Sequence, residues 1–470
     1  MKKLLYLAAF TGLIMTGCRK IEVDGDSSGG TTPPPTPEST ILEGRISANR
    51  TLTANNVYKL RGLVYVTNGA ILTIEPGTKI VGESGKNGGL IITRSCKIIA
   101  DGTADKPIVF TSEAATPTRG DWAGIVILGN APTNAAFNGV QGVGEIEGGV
   151  NNSDGLGLYG TPITQQQNPA DNSGILRYVR IEYAGYAFLP DKEINGLTFG
   201  GVGSQTVVDY VQVSYSNDDA FEWFGGTVNC KHLIAFKTLD DDFDTDNGFS
   251  GKVQFGISLR DSAVADISRS EAFESDNNAG GGALDPQTKP VFSNMTVMGP
   301  RAATNNIGNS LFSWGVQIRR NSSLSLFNSI VMGFPIGLFI DAQLGVPTDN
   351  NIPGSLFVQN TIISGSATPV NYSLGTNPNV PITANTPATI TTWYNTPAYG
   401  NSILTNNTEV GLEAAFNYAA PNFNPSSASS AAATGGAFTH AKLTDAFFSK
   451  VTYRGACAVG DTWWKSWTKF

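Results

Sequence analysis

Short apolar runs recur along most of the chain, and each of them ends near glycine, asparagine or aspartate. Examples are AILTIEPGTKIVG, LIITRSCKIIADGT, GIVILGNAP, LRYVRIEYAG and VDYVQVSYSN. The runs are rich in valine, isoleucine, threonine and tyrosine, which favour strands, and no helical pattern separates them. The pattern therefore predicts an all-β protein and excludes a doubly wound α/β sheet. A sandwich, a propeller and a solenoid remain.

The runs repeat at a nearly constant spacing, which distinguishes these three architectures. VQVSYSNDDAFEWFGG begins at residue 211 and LIAFKTLDDDFDTDNG at residue 233, an offset of 22 residues. SEAFESDNN places Phe273 30 residues after Phe243, which predicts an insertion of eight residues. A period in the low twenties is typical of a parallel β-helix, in which equivalent residues of successive coils stack. We therefore predict a right-handed parallel β-helix over residues 41–440, with coils of about 22 residues plus loop insertions.

The same alignment predicts which side chains stack. An aromatic ladder should point inward, and an acidic row one residue further along should point outward if strand alternation holds. The aromatic ladder consists of Phe221, Phe243 and Phe273, and the acidic row consists of Glu222, Asp244 and Glu274. Asp246 and Asp276 form a second acidic row. Tyr178 aligns with Tyr210, and Asn294, Asn328 and Asn360 align with one another.

The acidic rows present an electrostatic problem, because stacked strands lie about 4.8 Å apart. Two charges at that distance repel by about 0.9 kcal/mol in bulk water and about 3.5 kcal/mol at an effective dielectric constant of 20. No lysine or arginine lies within the three acidic segments NDDAFEWFGG, DDDFDTDNG and EAFESDNN. A bound cation would relieve the repulsion, and calcium prefers oxygen ligands on a fixed scaffold. The predicted calcium ligands are Glu222, Asp244, Asp246, Glu274 and Asp276.

Two other interpretations of the acids remain open. They could be exposed turn residues, since Asp and Asn favour turns. They could also be catalytic: Asp219 and Asp241 are 22 residues apart, as in the stacked pair of polygalacturonase-like glycosidases. Such glycosidases also need a histidine on the next coil and an arginine followed two residues later by a lysine. Here Ala263 stands at the next 22-residue position, without a nearby histidine, and Arg260 has no lysine two residues on. In a pectate-lyase-like site, Arg260 or Lys237 could serve as the base, but Arg260 more simply pairs with Asp261.

The first forty residues predict export and anchoring. MKKLLYLAAFTGLIMTGC has two lysines, a short apolar run and a cysteine, and resembles a bacterial lipoprotein signal over residues 1–17. Lipidation at Cys18 would then attach the protein to a membrane. Residues 18–40 contain SSGGTTPPPTPEST and predict a flexible tether. Residues 441–470 end in DTWWKSWTKF and are predicted to cap the last coil, since open sheet edges invite pairing with other chains.

Charge and cysteine content narrow the chemistry further. The net charge is −8, with no basic stripe, which argues against a nucleic-acid partner. With only two histidines and no CxxC motif, the sequence argues against zinc. Cys96, Cys230 and Cys457 are an odd number, so at least one thiol is free. The strand-like surroundings of Cys96 and Cys230 predict buried, small apolar roles for these two.

Most of the chain after the tether resembles a largely uncharacterised family of Bacteroidota-type exported lipoproteins with a pectin-lyase-like β-helix. The resemblance rests on YKLRGLVYVTNGAILTIEPGTKIVG, GTADKPIVFTS, RGDWAGIVILGNAP, EINGLTFGGVGSQTVVDYVQVSYSNDDAFEWFGGTVN and LDDDFDTDNGFSGKVQFG, and on NFNPSSASSAAATGGAF near the C-terminus. CRKIEVDG loosely resembles the charged signal that directs such lipoproteins to the cell surface.

The resemblance implies an outer-membrane or cell-surface lipoprotein, held in the membrane by its lipid. We expect a non-catalytic binding or structural module for glycans or for an outer-membrane protein partner. The alternative is a calcium-dependent polysaccharide lyase or glycosidase, with Asp219, Asp241 and Arg260 as candidate catalytic residues. A β-helix fold does not by itself imply an enzyme.

Overall fold

The chain winds into a parallel β-helix in the computed structural model, which describes residues 39–470 except 86, 190, 191, 304, 306 and 307. The predicted signal, Cys18 and most of the predicted tether lie outside the described residues. The first described strand begins at Ile41. Every strand pair in the large sheet is parallel, and the connections return each coil to the same three walls. The predicted fold class is confirmed.

The strands of the first half are β1 (Ile41–Ile46), β2 (Arg50–Leu52), β3 (Val57–Val66), β4 (Ile71–Ile74), β5 (Lys79–Gly82), β6 (Gly89–Ile92), β7 (Lys97–Asp101), β8 (Ile108–Ser112), β9 (Gly124–Leu128), β10 (Ala136–Phe137), β11 (Val140–Gln141), β12 (Val143–Glu145), β13 (Leu158–Gly160), β14 (Gly174–Glu182), β15 (Ala187–Leu189), β16 (Lys192–Glu193), β17 (Leu197–Gly200) and β18 (Val207–Ser214). Those of the second half are β19 (Phe221–Phe224), β20 (Asn229–Phe236), β21 (Phe243–Asp246), β22 (Lys252–Leu259), β23 (Phe273–Ser275), β24 (Val291–Met298), β25 (Trp314–Ile318), β26 (Ser325–Phe327), β27 (Ile330–Met332), β28 (Ile336–Asp341), β29 (Val358–Gln359), β30 (Ile362–Ser364), β31 (Thr368–Ser373), β32 (Ser402–Leu404), β33 (Leu412–Ala414) and β34 (Asn422–Pro425). The α-helix is α1 (Pro387–Tyr394), and five short 3-10 helices cover Thr348–Asn351, Pro397–Tyr399, Asn407–Val410, Ala431–Ala433 and Ala441–Leu443.

The coils stack into three walls. Wall A contains, in stacking order, β6, β9, β17, β19, β21, β23, β25, β28 and β31. Wall B contains β4, β7 and the first halves of β14, β18, β20, β22 and β24, followed by β26 and β29. Wall C contains β5, β8 and the second halves of the same long strands, followed by β27, β30 and β32. Hairpins β10–β11, β12–β13 and β15–β16 interrupt the coils as insertions.

One residue per coil makes the bend between walls B and C. Its φ is positive on seven successive coils; the first, Tyr178, has 49° and the last, Asn360, has 54°. Most side chains avoid this region of backbone conformation, whereas asparagine tolerates it. We call these residues the bend row: Tyr178, Tyr210, His232, Phe255, Asn294, Asn328 and Asn360. The predicted equivalence of the two tyrosines and of the three asparagines is confirmed.

The inside of the solenoid is a continuous apolar core that alternation builds from all three walls. Phe221 stacks on Phe243 with ring centroids 5.8 Å apart, and Phe243 lies 5.2 Å from Phe273. All three are completely buried, so the predicted aromatic ladder is confirmed. Cys96 and Cys230 are buried, as predicted, and Cys457 is buried as well; all three are unbridged.

The C-terminal segment differs from the prediction that it caps the last coil. Residues 437–470, here called the strap, run back over wall B and then wall C towards earlier coils. Three side-chain amides fix it by reciprocal hydrogen bonds of 2.7–3.1 Å with backbone groups: Asn328 with Ala437, Gln254 with Ser449, and Gln212 with Lys469. The strap covers apolar side chains that point out of wall C. The sequence repeat alone does not show that these outward side chains need a cover.

The end of the solenoid is instead covered by α1, which packs on β31. Ile390 and Tyr394 of α1 join the main apolar core, and the Tyr394 hydroxyl donates a hydrogen bond of 2.9 Å to the Thr361 carbonyl. Thr386 and Thr389 form a capping box at the start of this helix, and Pro387 stands at its first turn. Among the described residues, no helix has the length and apolarity needed to cross a membrane.

Candidate functional site

The candidate site lies on the outer surface of wall A. Strands β19, β21 and β23 alternate as predicted, with phenylalanine inward and a carboxylate outward. Glu222 pairs with Asp244 and Asp244 with Glu274, in register on neighbouring coils. The acidic row is therefore a true stack. Glu222 is only 5% exposed, and Asp244 and Glu274 are half-buried.

A second stack of acids lies in the turn that leads into these strands. The Asp219 side chain accepts a hydrogen bond of 2.8 Å from the Asp241 backbone N–H, and the Asp241 side chain accepts one of 2.6 Å from the Glu271 N–H. Asn195 begins this carboxylate ladder by accepting from the Asp219 N–H at 3.2 Å. One oxygen of each ladder carboxylate is thus used to fix the turns.

The stacking of Asp219 and Asp241 confirms their predicted alignment, but the next position is not the predicted Ala263. The eight-residue insertion lies before the third coil, so Glu271 stands there. Ala263 belongs to the exposed part of the insertion. The predicted equivalence of Ala263 is therefore wrong, although the row still lacks the histidine that a polygalacturonase-like site requires.

The two stacks line a pocket of about 460 Å³. Insertions around Glu147 and Glu193 and the segment 266–269 form its remaining walls. Ten acids and two arginines line it: Glu147, Glu193, Asp218, Asp219, Glu222, Asp240, Asp241, Asp244, Asp266 and Glu274, with Arg269 and Arg319. We call this cavity the acidic pocket. Its walls carry a large excess of potential negative charge in a partly enclosed space.

Burial and mutual repulsion oppose ionisation of these acids. Burial is the main cause that raises the pKa of Asp219, Glu222 and Asp244 well above the usual range, and neighbouring carboxylates add to it. The same causes raise the pKa of Asp246 to about 8. Burial raises the pKa of Glu274 to about 7 although Arg319 opposes the shift. Without a cation, these raised pKa values favour retention of protons on part of the carboxylates near neutral pH.

Two arginines from a later coil compensate one side of the acidic rows, which corrects the expectation that no cation does so. Arg319 is hydrogen-bonded to Glu274 and, at 2.8 Å, to Asp276. Arg320 donates to Asp276 at 2.6 Å. Asp246 accepts a bond of 2.5 Å from the Asn247 N–H. The arginines escaped sequence reasoning because QIRRN lies more than forty residues beyond the acids that it contacts.

The predicted calcium ligands thus separate: Asp246 does not line the pocket and is hydrogen-bonded to Asn247, and the other four divide into two groups. Glu222 and Asp244 remain beside uncompensated acids, whereas Glu274 and Asp276 are ion-paired with arginine. Three sets of carboxylates bring their oxygens within 4.8 Å of one another: Asp218, Asp219 and Asp240; Asp219, Glu222 and Asp244; and Asp240, Asp241 and Glu271. Sequence reasoning had not included Asp218, Asp240 and Glu271, although the tandem acids of NDD and DDD precede both strands.

The donor set fits a hard divalent cation. Every donor is a carboxylate oxygen, which suits calcium, whereas zinc prefers histidine and cysteine. Oδ1 of Asp244 and Oε1 of Glu271 are buried and lack a hydrogen-bond partner within the described part of the chain. Glu271 is only 2% exposed. An unpaired buried carboxylate oxygen is costly, and both atoms retain unused acceptor capacity.

The candidate catalytic arginine lies outside the pocket. Arg260 is completely buried, and its Nη1 donates to Asp242 at 2.9 Å. Its partner is therefore Asp242 and not the expected Asp261, and it cannot reach a substrate as a base. Lys237 also lies elsewhere, with its ammonium group 5.8 Å from the Tyr215 ring centre.

Comparison with known proteins assigns the fold but not an activity. The family model described as "Pectate-lyase like beta helix domain" matches residues 44–403. No curated protein and no solved structure shows a significant match to the chain. The matched span contains all three walls and every residue of the acidic pocket.

Proposed function

Since the chain belongs to the family of pectate-lyase-like β-helix domains, we propose that it is a non-catalytic binding module whose acidic pocket holds calcium. The observation that carries the proposal is the convergence of three carboxylate sets with two unpartnered buried oxygens. Calcium would remove the repulsion that otherwise keeps these groups protonated. Asp219 and Asp240 each belong to two of the sets, so the pocket offers adjacent positions for cations.

The ligand of the module is proposed to be an acidic glycan. A cation held by the pocket wall keeps free coordination positions, and a sugar carboxylate can fill them without entering as a bare anion among ten acids. The pocket volume of about 460 Å³ suits one or two sugar units. A glycan would therefore bind only when calcium is present.

Calorimetry and thermal melting test this proposal. Calcium should stabilise the described domain by about 2.7 kcal/mol at a hundredfold excess over its Kd, and chelator should reverse the effect. Asp244→Asn should abolish the calcium response. Asp105→Asn is the control, because this exposed acid lies far along the chain in a turn between β7 and β8. A melting curve that is indifferent to calcium and chelator overturns the proposal.

A calcium-dependent lyase is the second candidate, favoured by the family match and by two arginines at the pocket. Arg269 is exposed at the rim and could approach a bound sugar. Incubation with acidic polysaccharides, followed by assays for unsaturated products and new reducing ends, distinguishes the candidates. Product that disappears in Arg269→Ala would establish the enzyme and exclude a purely binding role.

We also propose that Cys18 carries a lipid that anchors the module to the outer membrane, on the cell surface. The proposal is supported by the lipoprotein-like signal and by the tether composition. Cys18→Ser should leave the protein soluble in the periplasm or unprocessed. If the variant still fractionates with the outer membrane, the lipid is not its attachment.

A further inference from the structure

Two aromatic stacks follow the bends of the solenoid, and they differ in what lies over them. The first is the aromatic part of the bend row, where Tyr178 stacks on Tyr210 at 4.4 Å. Trp467 of the strap packs edge-on against both rings, at 5.8 and 6.1 Å. The chain itself therefore covers this first stack.

The second stack follows wall C and contains Tyr183 and Tyr215. Their ring centres are 5.0 Å apart and their planes differ by 5°. Both residues have positive φ values, 63° and 56°, so the backbone fixes the direction of the rings. A hollow of about 510 Å³ lies beside them, bounded by Pro117, Thr118 and Arg119. We call this surface the tyrosine shelf.

Fixed polar groups surround the rings of the shelf. The Arg119 guanidinium carbon lies 5.4 Å from the centre of the Tyr215 ring. Its Nη1 is hydrogen-bonded to the carbonyl oxygens of Ser216 and Lys237, which holds the planar group in place. Burial lowers the pKa of Arg119 to about 10, and the nearby carboxylate of Asp261 opposes this shift. Half-buried rings beside held polar groups match a pyranose, which has C–H faces and a rim of hydroxyls.

The tyrosine shelf is adjacent to the acidic pocket along the chain and in space. Asn217 and Asp218 line the pocket and follow Tyr215 directly after Ser216. On the other side, a Cβ placed on Gly120 would lie 3.3 Å from Asn217 Cβ, so the loop that carries Arg119 packs against the same turn. One turn of backbone thus separates the two surfaces.

We propose that the tyrosine shelf is a sugar-binding subsite that takes a pyranose ring of a glycan extending from the acidic pocket. The inference rests on the proposed function, because the pocket defines where the glycan begins. A short oligosaccharide would occupy the pocket alone, whereas a longer one would also stack on Tyr183. Affinity should therefore increase with chain length through the shelf.

Calorimetry with uronate oligosaccharides of increasing length, in calcium, tests the shelf. Tyr183→Asn removes the ring and retains a residue that tolerates positive φ. It should weaken binding of the long oligosaccharides about tenfold, which corresponds to 1.4 kcal/mol, and leave binding of the shortest unchanged. Tyr183→Phe keeps the stacking surface and should bind like the parent protein.

The outcomes separate the shelf from the pocket. If Tyr183→Asn binds long oligosaccharides as tightly as the parent, or if the parent binds none of them, the shelf is not a sugar subsite. In both cases the melting shift with calcium alone remains the test of the pocket. Loss of that shift in the parent contradicts the proposed function itself.

Discussion

Walls A and C belong to the same coils and share the same inward core, yet on the middle coils their outer surfaces differ in polarity. On wall C the outward positions are apolar, including Ile234 and Phe236 on β20 and Ile257 on β22. The strap covers them with Trp464 and Trp467. On wall A the outward row is apolar at Ile91 and Val126 of the early coils. It becomes acidic at Glu222, Asp244 and Glu274, where the insertions above it leave a pocket. The comparison teaches that the inward rows specify the fold, while each outward row is free to take a different role.

Removing the cover of wall C should have the largest effect on stability. Deleting residues 461–470 takes away Trp464 and Trp467 and exposes the apolar rows. Each buried tryptophan is worth about 3–5 kcal/mol, so the loss should exceed that of any single core substitution. Urea unfolding and binding of an apolar dye measure it. A calcium response that survives the deletion would show that the walls act independently, and unchanged stability would contradict the assigned cover.

An inward substitution should cost less than the deletion but affect both walls. Phe243→Ala removes a completely buried ring between Phe221 and Phe273 and should destabilise the domain by about 3–5 kcal/mol. Ile382→Ala is the control, because Ile382 is 90% exposed and should change little. Equilibrium unfolding in denaturant gives both values. A neutral Phe243→Ala would mean that the aromatic ladder does not support the coils.

The sequence was sufficient for the inward rows because stacking repeats identical chemistry at a fixed offset. The Phe221–Phe273 ladder followed from alignment of the chain with itself, and so did the equivalence of Tyr178 with Tyr210 and of the three asparagines. The places of His232 and Phe255 in the bend row did not. The strap was placed wrongly, since its contacts with Gln212 and Gln254 are single long-range pairs that no period encodes. The depth of the acidic pocket was missed for a related reason: Glu147 and Glu193 lie on insertions outside the repeat.

Charge compensation was also only partly predictable from the sequence. Alignment of the chain with itself identified the acids of wall A. The contact between Arg319 and these acids depends instead on the lengths of the insertions in the next coils. The orphaned oxygens of Asp244 and Glu271 are likewise a property of three-dimensional packing. Sequence reasoning could predict that a cation is needed there, but not which carboxylates remain available to hold one.

Arg319 provides a way to test the division of the acidic rows. Arg319→Gln removes the charge paired with Glu274 and Asp276, and the unpaired acids should cost on the order of 2 kcal/mol without calcium. This value is below the range for fully buried pairs, because the arginine side chain is 22% exposed. Calcium should restore part of the loss. Arg45→Gln breaks the exposed pair with Asp154 and should cost less than about 1 kcal/mol in urea unfolding. An Arg319→Gln loss no larger than this control would mean that solvent already screens the rows.

The smallest and most specific effect is the pH dependence of the calcium-free protein. The folded state holds protons on Glu274 up to about pH 7 and on Asp246 up to about pH 8, whereas their ordinary pKa values are 4.5 and 3.8. Between pH 5 and pH 8 the folded protein therefore binds more protons than the unfolded chain. The free energy of unfolding must fall as pH rises, by about 1.4 kcal/mol per pH unit for each retained proton.

Calcium should flatten this dependence, because the cation replaces the protons that the pocket otherwise keeps. Urea unfolding at several pH values, with chelator and then with calcium, measures both slopes. The double substitution Glu274→Gln and Asp246→Asn should reduce the slope in chelator, while Asp105→Asn, a distant exposed acid, should not. If the stability of the calcium-free protein instead increases from pH 5 to pH 8, the pocket acids are ionised and solvated. Wall A would then differ from wall C in polarity alone, and its acids would not need a ligand.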